Sequence, residues 1–174
     1  MNDNQIFARY ERKFILDNKQ KEEFEDKHGN RLSRDENSTG TYKVYSLYFD
    51  DSNQSVIRES ISNPIYKEKL RIRSYNKIPN LKDTVYLEIK KKYLKRGNKR
   101  RIKVIYGDCL DFLKHKKSLH YDDFLSNQVV NEINGYLQYH NVAPSCLISS
   151  ERMAYYDQND PNLRITFDHQ IKTQ

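Results

Sequence analysis

The chain has 174 residues and carries 31 Lys and Arg against 24 Asp and Glu, for a net charge of +7. Charged residues make up 32% of it and mean hydropathy is −1.00, a balance that would mean disorder if aromatics were scarce. Fourteen Tyr and seven Phe, set in alternating stretches, exclude that and point to a folded β-rich domain whose basic surplus favours an anionic partner.

Residues 7–16 alternate and predict a first strand, with Arg9, Glu11 and Lys13 on one face. That cation–acid–cation row suits a face that holds an anion or a metal-bound anion, or else a cross-strand ion-pair ladder. Residues 17–28, rich in Lys and Glu, predict a surface helix capped by Asp17 or Asn18 and ended by Gly29. A polar loop is expected over 31–40. Residues 42–50 predict a strand from their aromatic and β-branched content. The turn at 50–53 caps a short helix over 54–61, which Ser62-Asn63-Pro64 breaks.

The most informative stretch is 67–75. As a strand it puts Lys67, Lys69, Arg71 and Arg73 on one face and Glu68, Leu70 and Ile72 on the other. A row of cations repels itself unless an anion lies against it, and the guanidinium fork fits phosphate oxygens. The competing account is a charged, solvated sheet edge. After a loop over 76–82, residues 84–92 predict a strand with Val85, Leu87 and Ile89 on its apolar face and Tyr86, Glu88, Lys90 and Lys92 on its polar one. A turn over 95–98 leads to a strand over 99–105, with Lys99, Arg101 and Lys103 opposite Ile102 and Val104. Three neighbouring strands cannot all be edges. Their cationic faces are therefore expected to converge on one surface that an anion compensates.

Helices are predicted over 107–114 and 122–140. In the second, Phe124, Leu125, Val129, Ile133, Tyr136 and Leu137 form a stripe that covers the sheet. Pro144 ends the connection to a strand over 146–156, where Arg152 lies between Ser150 and Ala154. It has room for a ligand, or pairs in the core with Glu11 or Glu88. After a turn at 157–161, residues 163–168 form the last strand, with Arg164 on its polar face, followed by a polar tail. Cys109 and Cys146 lack metal-ligand spacing and are expected to be buried free thiols. No histidine takes a catalytic role. The first residues hold no apolar leader and no apolar run is long enough to span a bilayer, so the chain is read as one cytoplasmic domain over 1–174.

Six pieces, in this order, carry a resemblance: residues 9–14 (RYERKF), 45–50 (YSLYFD), 69–73 (KLRIR), 87–90 (LEIK), 149–155 (SSERMAY) and 163–168 (LRITFD). Together the set resembles the VTC domain of polyphosphate polymerases, a branch of the triphosphate tunnel metalloenzymes. The resemblance implies an α+β fold: an antiparallel β-barrel forming a tunnel, with helices packed outside. It implies phosphate-holding catalytic roles for Lys13, Arg71, Arg73, Lys90 and Arg152, with Lys69, Lys99, Arg101, Lys103 and Arg164 as further phosphate-binding cations. Glu11 and Glu88 would be tunnel acids that take part in binding a divalent metal, Mn²⁺ or Mg²⁺.

ATP or another nucleoside triphosphate would donate its terminal phosphoryl group to polyphosphate, with a membrane-protein partner and no specific nucleic acid. Arg9 stands where tunnel triphosphatases carry the first Glu of a Glu-x-Glu-x-Lys pattern, which favours the polymerase branch. The family's closing strands, with a metal-binding Glu and another phosphate-binding Lys, are not in the sequence. The sequence is therefore read as an incomplete VTC-like domain or, if it is whole, as a tunnel left open on one side. The alternatives are a triphosphatase and a module that binds polyphosphate or nucleotide without catalysis.

Overall fold

The computed structural model describes residues 6–9, 11–35, 40–94, 96–160 and 162–174, with side chains from Glu11 onward. Its elements are β1 (Ile6–Arg9), α1 (Asn18–His28), β2 (Leu32–Arg34), β3 (Tyr42–Asp50), α2 (Ser55–Ile61), β4 (Tyr66–Ser74), β5 (Thr84–Tyr93), β6 (Arg96–Ile105), α3 (Tyr106–His115), α4 (Phe124–Tyr139), β7 (Ala143–Asp157) and β8 (Arg164–Thr173). The architecture is α+β with antiparallel sheet, and the chain divides into two compact units.

The first unit comprises residues 1–11, 45–148 and 173–174. In it the antiparallel strands run in the order β1-β6-β5-β4-β3. Alternation gives β4, β5 and β6 one apolar face each. Register then stacks Ile72 on Leu87 on Ile102, and Val85 on Val104. These side chains are buried, together with Cys109 and Phe112 of α3 and Val129, Val130, Ile133 and Tyr136 of α4. Full burial of each large aliphatic side chain is worth about 1.5–3 kcal/mol. The two helices thus cover one sheet face, and the other is left to the polar residues of the same strands.

Asp123 caps α4 by accepting from the Ser126 N–H at 2.7 Å. Val129, Ile133 and Tyr136 keep the expected stripe, but Phe124 is 78% exposed. It lies five residues before Val129, which turns it about 140° away from the stripe. Leu125 keeps the phase yet stays exposed in the first turn.

The second unit comprises residues 12–44 and 149–172. A capping box starts α1: Asp17 accepts from the Gln20 N–H at 2.8 Å, and Gln20 accepts from the Asp17 N–H at 3.0 Å. The helix docks through Phe24, whose ring meets Phe167 of β8 edge-on at 5.7 Å. Tyr155 of β7 meets the same ring at 6.0 Å, and the Lys21 ammonium lies 5.6 Å from its centroid. β7 pairs with β2 and with β8.

Several further sequence expectations change. The strand expected over 7–16 ends at Arg9, because β1 pairs with β6 in a register that sets Arg9 opposite Gly97, one residue from the start of β6. Residues 11–17 have no strand structure, and Phe14 and Ile15 are exposed. The loop expected over 31–40 contains β2, three residues too short to show a pattern, which pairs with Tyr155–Asp157. Pro144 lies within β7, so it does not end the connection before that strand. The expected polar tail is strand as far as Thr173, held by backbone bonds that need no apolar side chain; Gln174 and Leu147 exchange two at 2.9 Å. Of the two thiols Cys109 is buried, whereas Cys146 is only half-buried. Of the turn expected at 95–98, residues 96–98 are strand, paired in β6 with Tyr93, Lys92 and Lys91. Lys95, residues 36–39 of the expected loop at 31–40, Pro161 of the expected turn at 157–161 and the side chain of Arg9 lie outside the described residues.

Candidate functional site

The polar face of the first unit is ordered into three cross-strand rows by the registers of β4, β5 and β6. Lys69, Lys90 and Lys99 are opposite one another in the first, Arg71, Glu88 and Arg101 in the second, and Arg73, Tyr86 and Lys103 in the third. β3 adds Tyr48 to the second row and Ser46 to the third. Alternation builds this grid: Lys or Arg at every second position of β4 and β6, with Tyr86, Glu88 and Lys90 of β5 between them, and Leu70, Ile72, Leu87, Ile89, Ile102 and Val104 on the opposite face.

Glu88 is the centre. It is fully buried, and its Oε2 takes the Nε and Nη2 of Arg71, each at 2.6 Å. Its Oε1 takes the Lys99 ammonium at 2.6 Å, and Arg73 Nε lies 3.8 Å from Oε2. Burial pushes the Glu88 carboxyl up, but Arg71, Arg73 and Lys99 outweigh it and hold the group at about 2. Burial draws the Lys99 ammonium down to about 8, against the pull of Glu88. Lys69 is also lowered by burial. Arg71 donates its Nη1 to the Tyr48 hydroxyl at 2.8 Å, and Arg101 lies over the Tyr86 ring at 4.7 Å. These contacts hold both guanidinium planes.

Lys90, 44% exposed, meets Glu11 at 3.0 Å, and Lys103 is exposed. Lys69, Arg71, Arg73, Lys90, Lys99, Arg101 and Lys103 therefore share one face with the carboxylates of Glu88 and Glu11. Like charges directly opposite across strands destabilise a sheet, as in the all-lysine row, and an anion laid along the grid would relieve that repulsion.

Three predicted site residues belong to the second unit. Lys13 is exposed in the segment after β1. Arg152 is held in a two-point fork by Asp168, Nε to Oδ1 at 2.7 Å and Nη2 to Oδ2 at 2.8 Å. Arg164 pairs with Asp35. Sequence reasoning offered Glu11 or Glu88 as the partner of Arg152, and Asp168 was missed although it closes the same 163–168 motif. Tyr48 and the stacking role of Tyr86 were also missed. Parity on adjacent strands was their signal.

The fit of a divalent metal can be tested on the acids present. Glu88 is already neutralised by three cations that approach both of its oxygens, and Glu11 is engaged by Lys90. Among the described residues no group of three or more His, Cys, Asp or Glu side chains is placed to hold a metal ion. The described acids do not fit one.

The VTC domain family model matches residues 8–174. The chain belongs to the VTC domain family. No curated protein matches it. VTC domains are related in function to polyphosphate polymerases, and the tunnel family is generally dependent on a divalent metal. Among the described residues of this VTC domain, no helix is long and apolar enough to cross a membrane.

Proposed function

We propose that the grid on β4, β5 and β6 binds the phosphate chain of ATP or another nucleoside triphosphate, and of polyphosphate. The domain then transfers the terminal phosphoryl group to the polyphosphate end. The observation that carries this reading is the convergence of seven cations, on three neighbouring strands, around one buried carboxylate. Arg73 grips phosphate oxygens through its planar fork, Arg71 offers the N–H groups that Glu88 and Tyr48 leave, and Lys69, Lys90, Lys99 and Lys103 act as point charges along the chain. Glu88 serves as the internal counter-ion that keeps Arg71, Arg73 and Lys99 together and aimed before substrate arrives. Phosphoryl transfer gains most of its rate from such positioning and charge neutralisation. This reading places the reaction in the cytoplasm.

The decisive experiment is calorimetry with tripolyphosphate on the native protein and on the double variant Arg71→Ala, Arg73→Ala. Each charge-assisted contact is worth roughly 1.5–3 kcal/mol, so losing both should weaken binding at least about a hundredfold. Unchanged affinity in the folded double variant would overturn the reading.

Binding without turnover is the second reading, favoured by the saturation of Glu88 with cations. ATP consumption and polyphosphate formation on gels, with Mn²⁺ and Mg²⁺, separate the two. Polymer made by the native protein rules out a pure binding module.

A further inference from the structure

The grid is not the same at its two ends. At one end the lysine row of Lys69, Lys90 and Lys99 is followed, two residues further along β4 and β5, by Lys67 opposite Lys92. At the other end, the row of Arg73, Tyr86 and Lys103 is followed by Tyr75, immediately after β4. Tyr75 is 48% exposed, and its ring stands edge-to-face with Tyr86 at 6.2 Å and 84°. Tyr86 in turn lies beneath the Arg101 guanidinium at 4.7 Å. The result is a supported aromatic shelf on the cationic face, with Tyr75 outermost and one step along the strand from Arg73. Successive same-face residues of a strand are roughly 7 Å apart.

A bare phosphate chain gains nothing from an aromatic ring, whereas a nucleobase has a π-face to stack on one. We infer that the Tyr75–Tyr86 shelf is a nucleobase subsite. It takes the base of a nucleoside triphosphate whose phosphates run from Arg73 past Arg71 toward the lysine row. The shelf thereby gives the face a direction: nucleoside at the tyrosine end, phosphate tail at the lysine end. Stacking tolerates any base and favours the larger purines, so the subsite selects nucleotides over bare phosphate chains without strict base identity. Tyr75 is a positioning residue, acting through the placement of the nucleoside. The inference rests on the grid being the phosphate site.

Calorimetry with two probes, ATP and tripolyphosphate, tests both levels separately. Tyr75→Ala should weaken ATP about tenfold and leave tripolyphosphate unchanged, and Tyr75→Phe or Tyr75→Trp should retain ATP affinity. Native protein should also quench the fluorescence of 2-aminopurine riboside triphosphate, and Tyr75→Ala should lose that quenching. Unchanged ATP affinity in Tyr75→Ala, or an equal loss for both probes, overturns the subsite while tripolyphosphate binding to native protein still supports the grid. A native protein that binds neither probe overturns both. Because Tyr75 is exposed and beyond the end of β4, the alanine variant is expected to fold, which equal thermal midpoints would verify.

Discussion

Glu88 and Lys99 set the chemistry of the grid in opposite ways. Glu88 remains ionised at any working pH, because Arg71, Arg73 and Lys99 overcome the burial that pushes its carboxyl up. Lys99, two-point neighbour of the same charges, is drawn by burial to about 8 and so titrates near neutrality. A phosphate chain brings negative charge to Lys99 and pulls its ammonium back toward the ordinary lysine range. Binding therefore takes up a proton when the pH lies between about 8 and the ordinary value near 10.4. The sign follows: affinity for tripolyphosphate falls as pH rises through about 8. Calorimetry from about pH 7 to about pH 9.5 should show this loss, with an observed enthalpy that varies with buffer ionisation enthalpy in proportion to the proton uptake. Lys99→Arg keeps its charge throughout and should flatten the profile relative to native protein. The ligand's own ionisation is common to both proteins. Matching profiles would mean that Lys99 is not at the phosphate.

Among the elements, the link between β3 and α2 holds the edge of the grid where Tyr48 and Ser46 enter it. α2 has seven residues, and its N-cap Gln54 has a φ of 57° and no side-chain cap. Asp50, buried at the end of β3, replaces that cap from a distance. Its carboxylate accepts from the N–H groups of Asp51 and Val56 at 2.9 Å and of Ile57 at 3.1 Å. Asp50→Ala leaves these donors unsatisfied and should cost about 1–2 kcal/mol in chemical denaturation, with Asp50→Asn costing less. A change of only a few tenths would show that the cap contributes nothing. The motif at 45–50 foretold a strand followed by a capping turn. What it could not supply was the reach of one carboxylate to three donors.

The same contrast holds elsewhere. The faces of β4, β5 and β6 were legible because apolar residues alternate with polar or charged ones along each, as Leu70 and Ile72 do with Arg71 and Arg73. The first strand was overextended because alternation carries no information about where a partner strand stops. β2 was missed because three residues are too short to show a pattern, and the end of β8 because backbone bonds hold it without an apolar pattern.

For the whole molecule, a net charge of +7 acts on folding and on binding with opposite consequences. Self-repulsion of like charges opposes compaction, and salt relieves it. Attraction of a polyanion to the grid depends on the same charges, many of them half-exposed, and salt weakens it: the screening length shrinks from about 10 Å at 0.1 M to about 3 Å at 1 M. The ion pairs around Glu88 are buried and respond much less. Raising NaCl from about 0.1 to about 1 M should therefore lower tripolyphosphate affinity at least about tenfold while the thermal midpoint holds or rises. The Arg71→Ala, Arg73→Ala variant should show a shallower salt dependence, because fewer cations meet the ligand. Affinity independent of salt would mean that charge does not drive binding. A thermal midpoint that falls in step with affinity would mean that salt acts by loosening the fold, and the grid would lose its claim to be a preformed anion site.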